Sequence, residues 1–299
     1  MIKKAGVIFL LLGLGYGAFV KFQIFEGGRL GPDKVVPEDA RKNSHKAYFF
    51  SFTKYKPTGE KEIEIEGDSA DILSKTVDLM NVVAKAYAEE TPVTITSDEG
   101  QYDKSQNLVH LRKNVVATTE DGTRLLTEKL DIYPANKSVR TDVHAAVKKQ
   151  NINVEGLGAE GDSQLKKVAF RKNVTVVIKD GGASVAEGAK GPTIITCDGP
   201  LNIDYEKNIA YFRDHVVAKD DRGTLTADRM EVHYEKLQRR VSKIIATGNV
   251  VVENPDGNKT YSDNVIYLAD EGRIILGGDA EAIYKGGNGP KELSEPPAK

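Results

Sequence analysis

The sequence has one cysteine in 299 residues, Cys197 in the stretch TIITCDG. A single thiol forms no intramolecular disulfide and no cysteine zinc cluster, and its ordinary reading is a small apolar residue buried in a strand. Histidine is scarce as well. His45, His110, His144, His215 and His233 stand apart, without the H-x-x-x-H or H-E-x-x-H spacing that holds a metal. Neither charge is in excess: 42 Lys and Arg against 44 Asp and Glu leave a formal net charge of -2. There is no basic field for nucleic acid to neutralise, so a nucleic-acid partner is not expected. No nucleophile, base and orienter form a recognisable motif, and the acids fall mainly at turns and outward strand positions, which disfavours an enzyme. No cofactor and no metal are expected.

Long apolar runs are absent but for one. Ala5 to Val20, AGVIFLLLGLGYGAFV, is sixteen residues without a charge, preceded by Lys3 and Lys4 and followed by Lys21. At about 1.5 Å per residue it covers about 24 Å of helix, somewhat short of a hydrocarbon core. Lys21 can snorkel, and Phe22, Ile24 and Phe25 extend the apolar part. Residues 1–25 are therefore expected to form a transmembrane anchor whose paired lysines stay in the cytoplasm while the rest of the chain is exported. A cleaved signal peptide is the rival reading, since Gly15, Gly17 and Ala18 supply small residues near a cleavage site. A lipoprotein is excluded, because no cysteine lies near the end of the segment. Residues 26–46 are polar and punctuated by glycine and proline, and read as a linker; residues 286–299 have the same character and read as a disordered tail.

Between these ends, short runs alternate apolar and polar residues: IEIE (Ile63, Ile65), VTIT (Val93, Ile95), LDIY (Leu130, Ile132), LNIDY (Leu201, Ile203), MEVHY (Met230, Val232) and AEAIY (Ala280 to Tyr284). Turn signals at Asp121-Gly122, Asp180-Gly181 and Asp256-Gly257 interrupt them, so the architecture is read as all-β. Ile72, Leu79, Met80, Val83 and Tyr87 fit a helix face, but their surroundings favour a strand. KNVVA (Lys113 to Ala117), KNVTV (Lys172 to Val176), DHVVA (Asp214 to Ala218) and GNVVV (Gly248 to Val252) form an internal repeat, read as a polar pair that precedes a short strand. The larger block Asp103 to Tyr133 resembles Tyr205 to Tyr234, as repeated hairpins stacked into an elongated sheet would.

Gly156, Gly158 and Gly161 in NVEGLGAEGD have the G-x-G-x-x-G spacing of a dinucleotide site. Such a site needs a buried parallel strand before the first glycine and a helix after the last. The preceding NINVE alternates instead, and no βαβ pattern lies upstream. The glycines are read as backbone devices that permit unusual angles or close strand approach.

Leu108 to Ile178 as a whole resembles the LptC family, the bitopic inner-membrane component of the lipopolysaccharide export bridge. The order of motifs carries the resemblance: an N-V strand, LLTEKLDIY (Leu125 to Tyr133), a V-x-T-D turn (Val139 to Asp142), a glycine-rich segment (Gly156 to Asp162) and a last strand (Asn173 to Ile178). Residues 190–285 resemble the related OstA or LptA-type domain through LTADRMEV (Leu225 to Val232) and ATGNVVV (Ala246 to Val252). The resemblance implies two β-jellyroll blocks, residues 47–182 and 190–285, each open along one side. It further implies an apolar interior that shelters acyl chains of lipopolysaccharide in the periplasm of a Gram-negative bacterium. The implied partners are an inner-membrane Lpt ABC transporter at one end and an LptA-like bridge protein at the other, joined by edge-strand pairing. Candidate groove residues are Ile63, Ile65, Val93, Ile95, Leu130, Ile132, Leu201, Ile203, Met230 and Val232. The alternative is a structural or adhesive cell-envelope solenoid whose interior stays dry.

Overall fold

A computed structural model describes residues 21–24, 45–87, 92–179, 191–235, 240–268, 271 and 273–284. The core of the expected anchor, most of the linker, the Asp180-Gly181 turn and the expected tail lie outside these residues. Among the described residues the only regular element that is not a strand is a 3-10 turn, Pro134–Asn136. No helix among them is long and apolar enough to cross a membrane. The all-β reading holds, and each of two compact units, up to Arg171 and from Lys172, is an antiparallel jellyroll.

The first unit contains β1 (Lys21–Ile24), β2 (His45–Tyr55), β3 (Lys61–Ile72), β4 (Thr76–Ala86), β5 (Val93–Asp103), β6 (Leu108–Thr119), β7 (Arg124–Tyr133), β8 (Ser138–Lys149) and β9 (Ile152–Asp162). Each pairs antiparallel with the next. The division between the units falls after Arg171, within β10 (Lys167–Ile178), eleven residues before the expected end of the first block at residue 182. The second unit continues with β11 (Thr193–Cys197), β12 (Leu201–Asp204), β13 (Ile209–Asp220), β14 (Gly223–Glu235), β15 (Arg240–Glu253), β16 (Lys259–Leu268), β17 (Arg273–Gly277) and β18 (Glu281–Ile283). Here β11 and β12 share β13, and β17 and β18 share β16. Each of these pairs acts as one strand interrupted in the middle.

Two expectations need correction. Lys21–Ile24 forms β1 and pairs with β2, Phe22 opposite Phe52 and Ile24 opposite Phe50, so these residues belong to the sheet and do not prolong the anchor. Their K-F-Q-I alternation has the strand period. The repeated polar pair, in turn, does not precede a strand but lies in the middle of one. Asn114, Asn173, His215 and Asn249 all adopt positive φ, between 47° and 51°. The register slips by one residue at three of them, where Arg112/Val115, Arg213/Val216 and Thr247/Val250 mark bulges. The left-handed residue bends the strand without ending it, and the next valine turns inward: Val115, Val174, Val216 and Val250 are all buried. Sequence alternation breaks at such a bulge, so one long strand reads as two short ones.

Four of the bends are pinned from the neighbouring strand. Asn81 donates through Nδ2 to Asp68 at 2.6 Å, Asn114 to Asp98 at 2.7 Å and Asn249 to Asp228 at 2.9 Å, while His215 Nδ1 lies 2.7 Å from Asp198. The residue before the acid is small and buried: Ser97, Cys197, Ala227 and Ser262 occupy equivalent places before Asp98, Asp198, Asp228 and Asp263. Ser97 and Ser262 donate to the carbonyls of Glu99 and Asn264. Cys197 is thus a small corner residue, its thiol pushed up to about 11 by burial. The helix-like stretch from Ile72 is strand, as expected: Ile72 ends β3, and after a short turn β4 carries Leu79, Met80 and Val83, with Val77, Leu79 and Val82 buried.

Candidate lipid-binding interior

Antiparallel register lines residues up in rows across the strands, and alternation assigns each row to one face. One inner row of the first unit runs Phe52, Ile65, Ala84, Ile95, Ala117, Leu125, Val147, Val154, apolar from β2 to β9. Beyond the bend, Ile72, Val77, Tyr102, Val109, Ile132 and Val139 form another. The adjoining outer row is polar throughout: Lys46, Asp71, Asp78, Gln101, His110, Asp131, Arg140, Glu160. His110 Nδ1 lies 2.6 Å from Asp131 Oδ1, and Gln101 donates to Asp78 at 2.8 Å. One face is built for water and the other is not.

The second unit repeats the inner rows. Leu201, Phe212, Met230, Ala246 and Val265 form one buried inner row, ending at Leu276. Ile203, Ala210, Val232, Ile244, Tyr267 and Ile274 form the next. Every candidate groove residue lies on an inner row. Ile65 and Ile95 share the first row, and Ile63 and Val93 flank Ala86 on the row beside it. Ile203 and Val232 flank Ala210, and Leu201 and Met230 flank Phe212.

Depth separates them further. Val93, Leu130, Leu201, Met230 and Val232 are buried, whereas Ile63, Ile65, Ile95, Ile132 and Ile203 are only half-buried. Within the first unit the long row is half-exposed from Phe52 to Ile95 and closed from Ala117 to Val154. Within the second unit, burial fades toward β17, where Ile274, Ile275 and Leu276 are all exposed. Reading by alternation missed Val147 and Phe50, because HAAVKK and AYFFSF lack a clean period of two; Val154 does alternate in NINVE, and what alternation leaves open is that it is buried.

The glycine motif lies inside β9, which runs through Gly156, Gly158 and Gly161 and is followed by a turn and β10. Gly158 has φ of 69°, and a Cβ there would meet the Arg171 guanidinium at 2.4 Å. That guanidinium donates to the Thr141 carbonyl at 3.3 Å. Gly161 lets the Lys167 carbonyl approach, to within 2.8 Å of where a Cβ would stand. Both are backbone devices.

Among the described residues, each unit is a jellyroll with continuous apolar rows on its inner face. A family model described as lipopolysaccharide-assembly, LptC-related, matches residues 6–179, and one described as LptA/(LptD N-terminal domain) LPS transport protein matches residues 199–289. The chain belongs to the LptC family and carries an LptA-like domain after it. Among curated proteins none matches the chain. Two domains of lipopolysaccharide-transport families in one chain support a role in that transport.

Proposed function

We propose that the chain is an inner-membrane-anchored periplasmic component of lipopolysaccharide transport. Its inner rows shelter acyl chains and pass the lipid from an inner-membrane ABC transporter toward the outer membrane. The observation that carries this reading is the apolar row from Phe52 to Val154, held in register across eight strands and half-exposed at its first four. Each acyl CH₂ removed from water contributes about 0.8 kcal/mol, so an apolar trough binds such chains without specific contacts. The anchor is the apolar segment Ala5 to Val20, and the LptC-related match begins within it. Partner contacts are assigned to the edges. β1 covers Phe50 to Thr53 of β2, and the remainder of that edge faces the transporter; β17 and β18 receive an LptA-like strand.

Strand parity supplies the test. A photo-crosslinking residue at Ile132 or Val232 is expected to give lipopolysaccharide adducts in living cells, and one at Asp131 or Glu231 is expected to give few. Equal labelling at all four positions, or none in a folded protein, refutes the conduit. The full burial of Leu130, Leu201 and Met230 favours a second reading, a dry structural solenoid. Absence of lipid from the purified protein would select it.

A further inference from the structure

We propose that the first acyl-binding subsite of the interior is the space filled by the ring of Phe50, which serves as a displaceable stopper. The proposal rests on the conduit reading and deepens it. Phe50 is the one buried residue of β2. It packs on Ala70, Val77, Leu79 and Val82, a cluster without a polar side chain. Tyr102, at the margin, already donates its hydroxyl to Asn107 at 3.1 Å. The ring lies on bare backbone. Gly67 is its register partner, and a Cβ on Gly67 would stand 2.7 Å from Phe50 Cε1 and 2.8 Å from Cζ. A place where a sheet interior ordinarily carries a side chain is given over to the ring.

Residue 49 makes the ring movable. The bends of β4, β6, β10 and β15 each carry a left-handed asparagine, which tolerates that conformation, joined in β6 by Lys113 and in β15 by Gly248, while β13 uses the polar pair Asp214 and His215. In β2 it is Phe49, with φ of 50° and 61% exposed. A bulky residue in that region is strained, and the neighbouring acid gives no relief, because Asp68 is taken by Asn81. The backbone state that turns Phe50 inward is therefore the strained one. Beside the ring lies the half-exposed row of Phe52, Ile65, Ala84 and Ile95, so a chain moving along that row reaches Phe50 before the closed cluster. With no polar partner in the cluster, the fitting ligand is an unbranched saturated acyl chain.

A ring-out state of the usual minor population, about 0.1–10%, weakens apparent affinity by that fraction. Diazirine-tagged palmitic acid, titrated against the full chain in nanodiscs with adducts mapped by peptide mass, reads this directly. Saturable adducts are expected on Val77 to Val82 of the unaltered chain. Phe50→Ala should half-saturate at a concentration lower by about tenfold or more. Phe49→Asn relieves the strain that favours ring release and should raise it by about fivefold or more. This second variant keeps the core intact and is expected to be the more stable protein, so a misfolded Phe50→Ala leaves the test standing. Unchanged half-saturation in Phe49→Asn refutes the stopper while leaving the conduit in place. No saturable interior adduct in any of the three chains overturns both.

Discussion

The bends can be separated into backbone and side-chain contributions by substituting one left-handed asparagine in two ways. Asn114→Val puts a β-branched residue at φ of 51° and also removes the 2.7 Å bond to Asp98. Left-handed backbone costs an ordinary residue about 1–2 kcal/mol. The hydrogen bond is exposed and contributes at most about 0.5–1 kcal/mol. The valine variant should therefore lose about 2 kcal/mol. Asn114→Gly keeps the angle and gives up only the bond, so its loss should be near 0.5 kcal/mol. With a urea slope of about 2 kcal/mol per molar, the valine variant should unfold at a midpoint lower by about 1 M and the glycine variant by about 0.25 M. Far-UV circular dichroism and tyrosine fluorescence give both midpoints. Because Asn114 and Asn249 lie in separate compact units, Asn249→Val should move a different portion of the transition. Equal losses for glycine and valine at position 114 would refute the argument, since the bond and not the backbone would then hold the bend.

Three further outcomes follow from the same reasoning. Burial pushes the Asp121 carboxyl up, but the Lys149 ammonium, the hydroxyls of Thr119 and Thr123 and the Thr123 amide outweigh it and hold it well below the usual carboxylate range. A depressed carboxyl stabilises the fold above its unfolded pKa and loses that contribution as pH falls through the folded value. Asp121→Asn should flatten the acid limb of a thermal-stability profile below about pH 4, and an unchanged limb would remove the assignment. Gly67→Ala should cost about 1–3 kcal/mol by overpacking, because its methyl would also stand 2.9 Å from the Met80 carbonyl; a neutral result in a melting experiment would show that Phe50 is not seated there. Gly158→Ala should lose about 1–2 kcal/mol from its left-handed angle, and adding Arg171→Ala should restore only the part due to the displaced guanidinium; full restoration in the double variant would contradict the φ argument.

The fold class was legible because a period of two survives in nearly every strand, and Ile132 and Asp131 were assigned to opposite faces by that rule alone. Depth was not legible. Alternation tells which face a residue occupies but not whether another strand covers it, so Leu130 and Ile63 read alike although one is buried and the other half-exposed. The bends were half legible. KNVVA, KNVTV, DHVVA and GNVVV stood out as a repeat, but a left-handed residue interrupts alternation just as a loop does. Its partner signal, a small residue followed by an acid, is present in TSDE, TCDG, TADR and YSDN. Phe50 was hidden by its neighbours: AYFFSF shows four aromatics within five residues, and only the Phe49 bend decides which one turns inward.

Exposure at the ends of the apolar rows carries the last step. A residue on an inner row is closed by the strands on both sides of its own, so a row that ends at an edge strand is uncovered there by geometry alone. Soluble proteins ordinarily guard such an edge with lysine, proline or an inward charge. β17 has none of these between Arg273 and Gly277, and is apolar on both faces, with Ile274 and Leu276 on the inner rows and Ile275 on the outer. The outer row leading to it changes character too: Tyr211 and Glu231 give way to Ile245, Ile266 and Ile275, where the corresponding row of the first unit stays polar from Lys46 to Glu160. An edge left apolar on both sides is an aggregation hazard in a protein that works alone and an asset in one that hands cargo to a neighbour. Among the described residues, the apolar faces of β17 thus support the proposed partner strand as the half-exposed row supports the proposed lipid.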